Sequence, residues 1–300
     1  MTGPAPNGLD SPLRARRPVP MALLTWAFMA AVLLIVLVLV VLRLTQGTTT
    51  APMPSLYRAP DAVVRAVTSI PPSVFDAVGA PGAGSSTPQA LAGQAVLMSD
   101  GRAELVFVGA QFSPYSAAAR WAVVAALARF GTFSNLGATS SSTDEVFAHT
   151  PTFTFSGSSY RSPVVAFVAD ETYGDTMSGN APAGFPILSA PSAPVAALLR
   201  RFDGASAGAG PVALPFIDVA NQVVFLGADI GFSPGLFHGQ SMSQVASALG
   251  DPTSPLGRAV VGAANEIDAA LCASTAQRPQ AVCASPGIKA AAARLGLGLG

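Results

Sequence analysis

A short apolar strand that runs directly into a capped, apolar helix constrains this chain more than any other feature. Residues 103–110 are mostly aliphatic and aromatic and follow a Ser-Asp-Gly turn, so we predict a buried strand there. Ser113 is a good N-cap, Pro114 suits the first helical position, and Gly131 suits the position after the last turn. The sequence therefore predicts a helix over 114–130 and an α/β fold around this strand and helix.

A second feature, near the N-terminus, predicts a membrane anchor. Residues 21–42 carry no charge, and at about 1.5 Å per residue a helix of this length spans the roughly 30 Å hydrocarbon core of a bilayer. A cleaved signal would have a shorter apolar region and a small-residue cleavage site, which residues 42–45 do not offer. Arg14, Arg16 and Arg17 precede the segment, so the N-terminus is expected in the cytoplasm. We predict a single-pass signal anchor in the plasma membrane with an extracytoplasmic domain.

Charge and cysteine content narrow the possible partners. The chain has 16 basic and 16 acidic residues, and the basic ones are scattered. Nucleic-acid binding depends on clustered Lys and Arg that contact phosphates, so no nucleic-acid partner is expected. Cys272 and Cys283 are the only cysteines, and outside the cell such a pair is usually joined, so we predict a structural disulfide. The alternative is a displaced redox pair. Two sulfurs without a nearby histidine do not predict a metal site.

The composition changes along the chain in a way that suggests domain boundaries. Proline- and arginine-rich residues at the start and a Thr- and Pro-rich stretch after the anchor are too poor in large apolar residues to pack alone. We predict the following division: cytoplasmic tail 1–20, membrane helix 21–42, linker 43–60, a short helical and loop segment 61–93, a compact domain 94–286, and a C-terminal tail 287–300.

Within the compact domain, alternation and turn residues predict further elements. Beyond the first strand and helix, we expect a strand at 94–98, a hairpin formed by 151–157 and 163–168, a helix at 194–202, a second hairpin formed by 214–219 and 222–227, and helices at 241–249 and 256–272.

The turn at Ser113-Pro114-Tyr115-Ser116, with residues 119–122, 129–134, 150–155 and 215–221, resembles a family of membrane-anchored, thioredoxin-like extracytoplasmic proteins of unknown function. The layout is similar to that of DsbA-type disulfide oxidoreductases, and the resemblance spans residues 61–286. It implies a thioredoxin-like α/β domain with a helical insertion. It also implies a cis-proline opposite the turn. Pro215 is the preferred candidate, because a hairpin and helices follow it, and Pro151 is the alternative.

The chain departs from that family at the two positions where reactive cysteines are expected. Ser113 and Ser116 are hydroxyls, and disulfide exchange requires a thiolate, which a serine cannot supply. Whether these serines are native or engineered is left open by the sequence. We therefore expect no catalytic residue and no cofactor, and a redox-inactive module that binds an envelope or membrane protein. The other interpretations are a helix cap without further role, and an oxidoreductase that works through Cys272 and Cys283.

Overall fold

The computed structural model describes residues 29, 34, 57–82, 85–178, 184–202 and 213–299. The chain divides into two units, Met1–Pro52 and Met53–Gly300, and the architecture below is that of the second. The predicted cytoplasmic tail and membrane helix lie outside the described residues apart from Met29 and Leu34, which are helical. Among the described helices, none has both the length and the apolar character needed to cross a bilayer.

The described residues form helices and strands in a mixed α/β arrangement. The α-helices are α1 (Asp61–Thr68), α2 (Pro72–Val78), α3 (Pro114–Leu127), α4 (Ala193–Arg200), α5 (Met242–Leu249), α6 (Pro255–Ser274), α7 (Gln280–Cys283) and α8 (Pro286–Leu295). The strands are β1 (Tyr57–Arg58), β2 (Gln89–Ala90), β3 (Met98–Ser99), β4 (Arg102–Gly109), β5 (Thr132–Ser134), β6 (Gly137–Ser140), β7 (Pro151–Thr154), β8 (Ser159–Arg161), β9 (Val165–Glu171), β10 (Phe216–Val219) and β11 (Val223–Leu226). Two 3₁₀ turns, Gly227–Ile230 and Pro234–Phe237, follow β11.

The main sheet is built around β4. Its order is β2-β11-β10-β4-β3, and β9 pairs with β4 in parallel while the other pairs are antiparallel. Because β4 is buried on both faces, its sequence is a nearly continuous apolar run rather than an alternating one. Two smaller sheets, β1-β6-β7 and β5-β8, lie outside this sheet.

The two faces of the sheet bury separate apolar clusters. Leu105 and Phe107 point into the larger cluster, which also takes in α1, α2, α3, α5, α6 and α8. Val106 and Val108 point into a smaller cluster that packs under α4. This alternation along β4 follows from the two-residue period of a strand. Helix α3 is buried on nearly all sides, since thirteen of its fourteen residues are buried.

Several predicted elements are confirmed, and one pairing is wrong. The hairpin of β10 and β11 forms about Ala220 and Asn221 as predicted, and α3 begins at Pro114 but ends at Leu127. The first predicted hairpin does not form, because β7 pairs with β6 and β9 pairs with β4. The predicted strand at 94–98 is reduced to β3, which starts only at Met98.

The core extends beyond the predicted domain limits of 94 and 286. Val67 and Phe75, from the segment predicted to be separate, are buried in the larger cluster. Ile288 and Leu295, from the predicted C-terminal tail, are buried in the same cluster because residues 286–295 form α8. The second unit therefore needs both flanking segments to complete its apolar core.

Candidate functional site

The turn between β4 and α3 is a capped helix start. Ser113 has an extended backbone, and its Oγ accepts a hydrogen bond from the backbone N–H of Ser116 at 3.2 Å. Pro114 occupies the first helical position, where a backbone N–H is not needed. Ala117 donates its N–H to the Ser113 carbonyl at 2.9 Å. The turn thus has the geometry that the sequence predicts.

Ser116 ties the start of α3 to the end of β4. Its side chain is fully buried, and its Oγ accepts a hydrogen bond from the N–H of Ala110 at 3.3 Å. A Cβ atom at Gly109 would lie 3.2 Å from this Oγ and 2.7 Å from the Phe107 ring. Glycine at position 109 therefore permits the close approach of strand and helix.

The two serine hydroxyls have no chemical activation in this arrangement. Ser113 is 7% exposed and Ser116 is 0% exposed. Within the described ranges, no histidine or carboxylate hydrogen-bonds either hydroxyl. A serine nucleophile requires an adjacent base within hydrogen-bond reach. The arrangement supports a structural cap and does not support nucleophilic chemistry.

Pro215 lies at the same end of the sheet as Ser116. The Leu214–Pro215 peptide bond is cis. Phe216 is paired with Val108, so continuing the antiparallel register by one residue places Pro215 beside Gly109. The structure thus brings the preferred proline to the turn that carries Ser113 and Ser116.

Pro151, the alternative proline, occupies a different place. It opens β7, and its carbonyl accepts a hydrogen bond from Trp121 Nε1 at 2.7 Å, in the middle of α3. Among the described peptide bonds, only Leu214–Pro215 and Arg278–Pro279 are cis, so the bond before Pro151 is trans. The cis bond at Pro279 has no counterpart in the sequence analysis.

An apolar cavity of about 380 Å³ opens beside the Leu214–Pro215 bond. Its lining includes Val108, Tyr173, Ile187, Leu199 and Leu214. The Ile187 side chain is 60% exposed at its edge. A mostly apolar concavity with a few polar groups is the usual form of a binding site.

Aromatic side chains connect the turn with this cavity. The Phe112 ring stacks on Phe185 with centroids 4.2 Å apart, and the Tyr173 ring lies 6.1 Å from Phe112. Tyr115, the half-buried residue of the turn, makes an edge contact with Phe147 at 6.3 Å. Since Tyr173 also lines the cavity, Phe112, next to the turn, contacts one wall of the cavity.

A buried ion pair lies one helical turn below Ser116. Arg120 Nε is 3.0 Å from Glu171 Oε1, and the Arg120 side chain is fully buried. Arg120 Nη2 also donates to the carbonyl of Ala110 at 3.3 Å, the residue whose N–H binds Ser116. Burial lowers the pKa of Arg120, and Glu171 opposes that shift.

Glu171 is held by several further donors. Its Oε2 accepts from Gln111 Nε2 at 2.8 Å and from the Thr154 hydroxyl, and its Oε1 accepts from the Phe155 N–H at 3.1 Å. This network fixes the end of β9 against the turn. Sequence reasoning missed it, although an arginine in an otherwise apolar helix signals a buried partner.

The predicted disulfide between Cys272 and Cys283 is present, with Cα atoms 5.4 Å apart. It joins α6 to α7, and the two residues are 0% and 1% exposed. Thiol–disulfide exchange requires an attacking thiolate to reach a sulfur. Burial of both cysteines argues against their use as a redox pair.

Comparison with known proteins gives one finding. Residues 91–195, 105 of the 300 in the chain, match the model of DUF929, a domain of unknown function. The match includes the Ser113–Ser116 turn, Arg120 and Glu171, and it ends before Pro215. Searches of the curated proteins and of the solved structures returned no significant match.

Proposed function

We propose that this chain is a membrane-anchored, thioredoxin-like protein that binds an extended polypeptide and does not exchange disulfides. The fold part of the proposal is supported by the connection from β4 to the parallel strand β9, which begins with α3 and continues through β5, β6, β7 and β8. The Ser-x-x-Ser turn lies at the start of α3. A C-x-x-C motif in such a unit is typical of thioredoxin-like redox proteins. The spatial order β9-β4-β10-β11, with Pro215 directly before β10, also supports it.

The absence of redox chemistry rests on the two oxygens of the turn. Both Ser113 Oγ and Ser116 Oγ accept backbone hydrogen bonds at the positions where a reactive dithiol is expected. A cysteine thiol at a helix N-terminus ionises near neutral pH, whereas a serine hydroxyl does not. This observation carries the proposal that the chain does not exchange disulfides, because neither position of the turn offers a sulfur.

The binding part rests on the surface between the turn and the Leu214–Pro215 bond. The cavity beside it is lined by apolar side chains, among them Val108, Ile187 and Leu214. Extended peptides combine backbone pairing with apolar pockets for alternate side chains. The proposed partner is an envelope or membrane protein with an extended apolar segment. A membrane anchor at residues 21–42 would keep the binding surface close to such a partner.

Site-specific photocrosslinking in membranes tests this binding surface. A photoreactive phenylalanine analogue replaces Tyr115 in the full chain, and the same analogue replaces exposed Lys289 on α8 as the matched control. We expect a discrete crosslinked partner from position 115 only, and we expect Leu214→Glu to abolish it by placing a charge in the apolar cavity. Equal crosslinking from both positions, no crosslink from position 115, or a crosslink that survives Leu214→Glu contradicts the proposal.

A further inference from the structure

An exposed apolar patch lies beside the turn at the start of α3. We call it the Tyr115 patch, and its members are Tyr115, Val146, Phe147 and Leu236. The Tyr115 and Phe147 rings are in edge contact, and a Cβ atom at Gly235 would lie 3.1 Å from the Phe147 ring, so the 3₁₀ turn that carries Leu236 packs against this pair. Val146 is 89% exposed and Leu236 is 36% exposed. A contiguous apolar patch with a polar rim is typical of a protein interaction site.

The backbone of Phe112 holds two loops against the turn. Its N–H donates to the carbonyl of Gly174 at 3.1 Å, and its carbonyl accepts the N–H of Ser142 at 3.0 Å. Asp175 directly follows Gly174, and Asp144 lies two residues after Ser142. Each of the two loops therefore carries a carboxylate close to the residue that precedes the turn.

Neighbouring hydroxyl groups orient both carboxylates. Asp144 Oδ2 accepts from the Ser142 and Thr143 hydroxyls at 3.3 and 3.4 Å, and Asp175 Oδ2 accepts from the Thr139 hydroxyl at 3.2 Å. The ion pairs of the described ranges all join other residues, so neither carboxylate there is paired with a cationic side chain. The negative charge of both groups is therefore available to a partner.

The loops that meet the turn carry charge of one sign. The chain has no lysine or arginine in residues 130–160, 162–199 and 202–257, which include both loops and the 3₁₀ turn of the patch. The two loops contribute Asp144, Glu145 and Asp175. The N-terminal end of α3 opposes them with roughly half a positive charge. The charge around the Tyr115 patch is thus negative, and a partner with lysine or arginine complements it.

We propose that the partner segment bound at this surface carries lysine or arginine next to its apolar residues. This inference rests on the proposed function and specifies the class of partner, a basic apolar segment rather than an acidic or uncharged one. The apolar side chains pack on the Tyr115 patch, and the basic ones lie beside Asp144 and Asp175. Opposite charges speed the encounter, while an acidic segment is repelled.

Fluorescence anisotropy with labelled peptides tests this inference on the full chain in phosphatidylcholine nanodiscs, with empty nanodiscs as the baseline. Three blocked peptides share the core Leu-Phe-Val and differ only in the flanking residues, which are lysine, glutamine or glutamate on both sides. We expect the lysine peptide to bind about five-fold more tightly than the glutamine peptide at low ionic strength, and the glutamate peptide to bind most weakly. The preference should disappear at about 1 M salt, where charges are screened beyond about 3 Å.

Variants of the surface locate the binding. The double variant Asp144→Asn/Asp175→Asn keeps an acceptor for each neighbouring hydroxyl, so the fold is retained, and its affinity for the lysine peptide should fall about five-fold, to that of the glutamine peptide. The matched control, Asp100→Asn/Glu104→Gln, removes the same charge at the opposite end of β4 and should leave the affinities unchanged. Val146→Ser should weaken the binding of all three peptides, because it removes an exposed apolar contact.

The possible results distinguish this inference from the proposed function. Equal affinities for the three peptides overturn the inference and leave the proposed function intact. A lysine preference that survives in Asp144→Asn/Asp175→Asn, or full binding by Val146→Ser, also overturns it, since the peptides then bind elsewhere. Absence of binding by all three peptides overturns it as well, and the crosslink from position 115 then decides separately whether the proposed function stands.

Discussion

Arg120 and Glu171 form a buried ion pair directly beneath the Ser113–Ser116 turn, with Nε and Oε1 3.0 Å apart. The pair connects α3 with the end of β9, the strand that runs parallel to β4. Removing one member of a buried ion pair leaves an uncompensated charge, which typically destabilises a protein by about 3–5 kcal/mol.

We therefore expect Arg120→Met to lower the free energy of unfolding by about 3–5 kcal/mol, and Glu171→Gln to lower it in the same direction. The matched control is Arg58→Met, because the Arg58–Asp61 pair is exposed and should contribute less than about 1 kcal/mol. Urea unfolding of the three variants measures the difference. Similar small losses for Arg120→Met and Arg58→Met would show that the buried pair does not support the fold.

The serine cap makes a separate prediction. Ser113→Ala removes the N-cap acceptor and should lower the free energy of unfolding by about 1 kcal/mol. Ser116→Ala leaves the buried N–H of Ala110 unpaired, so we expect a larger loss of about 1–3 kcal/mol. Ser233→Ala, at the exposed cap of the 3₁₀ turn 234–237, is the control. Thermal or urea unfolding measures the loss of stability in each of the three variants. A loss for Ser116→Ala no larger than that for the control would contradict the role assigned to Ser116.

Asp218 predicts the direction of one pH dependence. Its pKa in the folded chain is about 6, above its unfolded value of about 3.9, because burial disfavours the charged form. The folded state therefore binds more protons between these values, so this contribution to stability is complete below about pH 4 and is lost as the pH rises through 6.

Each unit of pKa shift corresponds to about 1.4 kcal/mol, so the titration of Asp218 should change the free energy of unfolding by no more than about 3 kcal/mol. Asp218→Asn should remove the part of the pH dependence that comes from this residue, and exposed Asp144→Asn should leave it in place. Glu266 and Asp268, whose pKa values burial raises to about 7, contribute in the same direction in both variants. Urea unfolding at pH 4.5, 6 and 7.5 measures it. The prediction is contradicted if the free energy of unfolding of the wild-type chain, relative to that of Asp218→Asn, increases as the pH rises. That result would show that the Asp218 carboxylate is ionised and stabilised in the folded chain.

The buried disulfide should resist reduction in the folded chain. Cys272 and Cys283 are shielded from solvent, so mild reductant and an alkylating agent should label them only after unfolding. Replacing both by alanine should lower the free energy of unfolding by about 2–4 kcal/mol. Mass spectrometry of alkylated peptides, with and without denaturant, measures the labelling. Rapid labelling of the native chain would revive the interpretation of these cysteines as a redox pair.

Local signals in the sequence predicted the parts of the fold that depend on neighbouring residues. Ser113 and Pro114 fixed the start of α3, and the turn at Ala220–Asn221 gave the second hairpin. The first hairpin was wrong because β7 and β9 each find a partner far away in sequence, which alternation alone cannot identify.

The charged residues in the core were not predicted. Glu171 lies 51 positions after Arg120 in the chain, and no local pattern joins the two. The burial of Asp218 likewise arises from its strand register opposite Val106, so it could not be predicted from spacing. The predicted domain, 94–286, leaves out α1, α2 and α8, whose apolar residues belong to the larger cluster. Each of these helices carries only a short apolar stretch, so the sequence of each gives little sign that it packs into that core.

The central claim is that oxygen has replaced sulfur at the turn and removed disulfide exchange. Insulin reduction in the presence of dithiothreitol, with the purified full-length chain in mild detergent, tests it most directly, and the S113C/S116C double variant serves as the matched control. We expect the wild-type chain to show only the uncatalysed rate and the double variant to accelerate the reaction. Catalytic turnover by the wild-type chain with both serines intact would contradict the account.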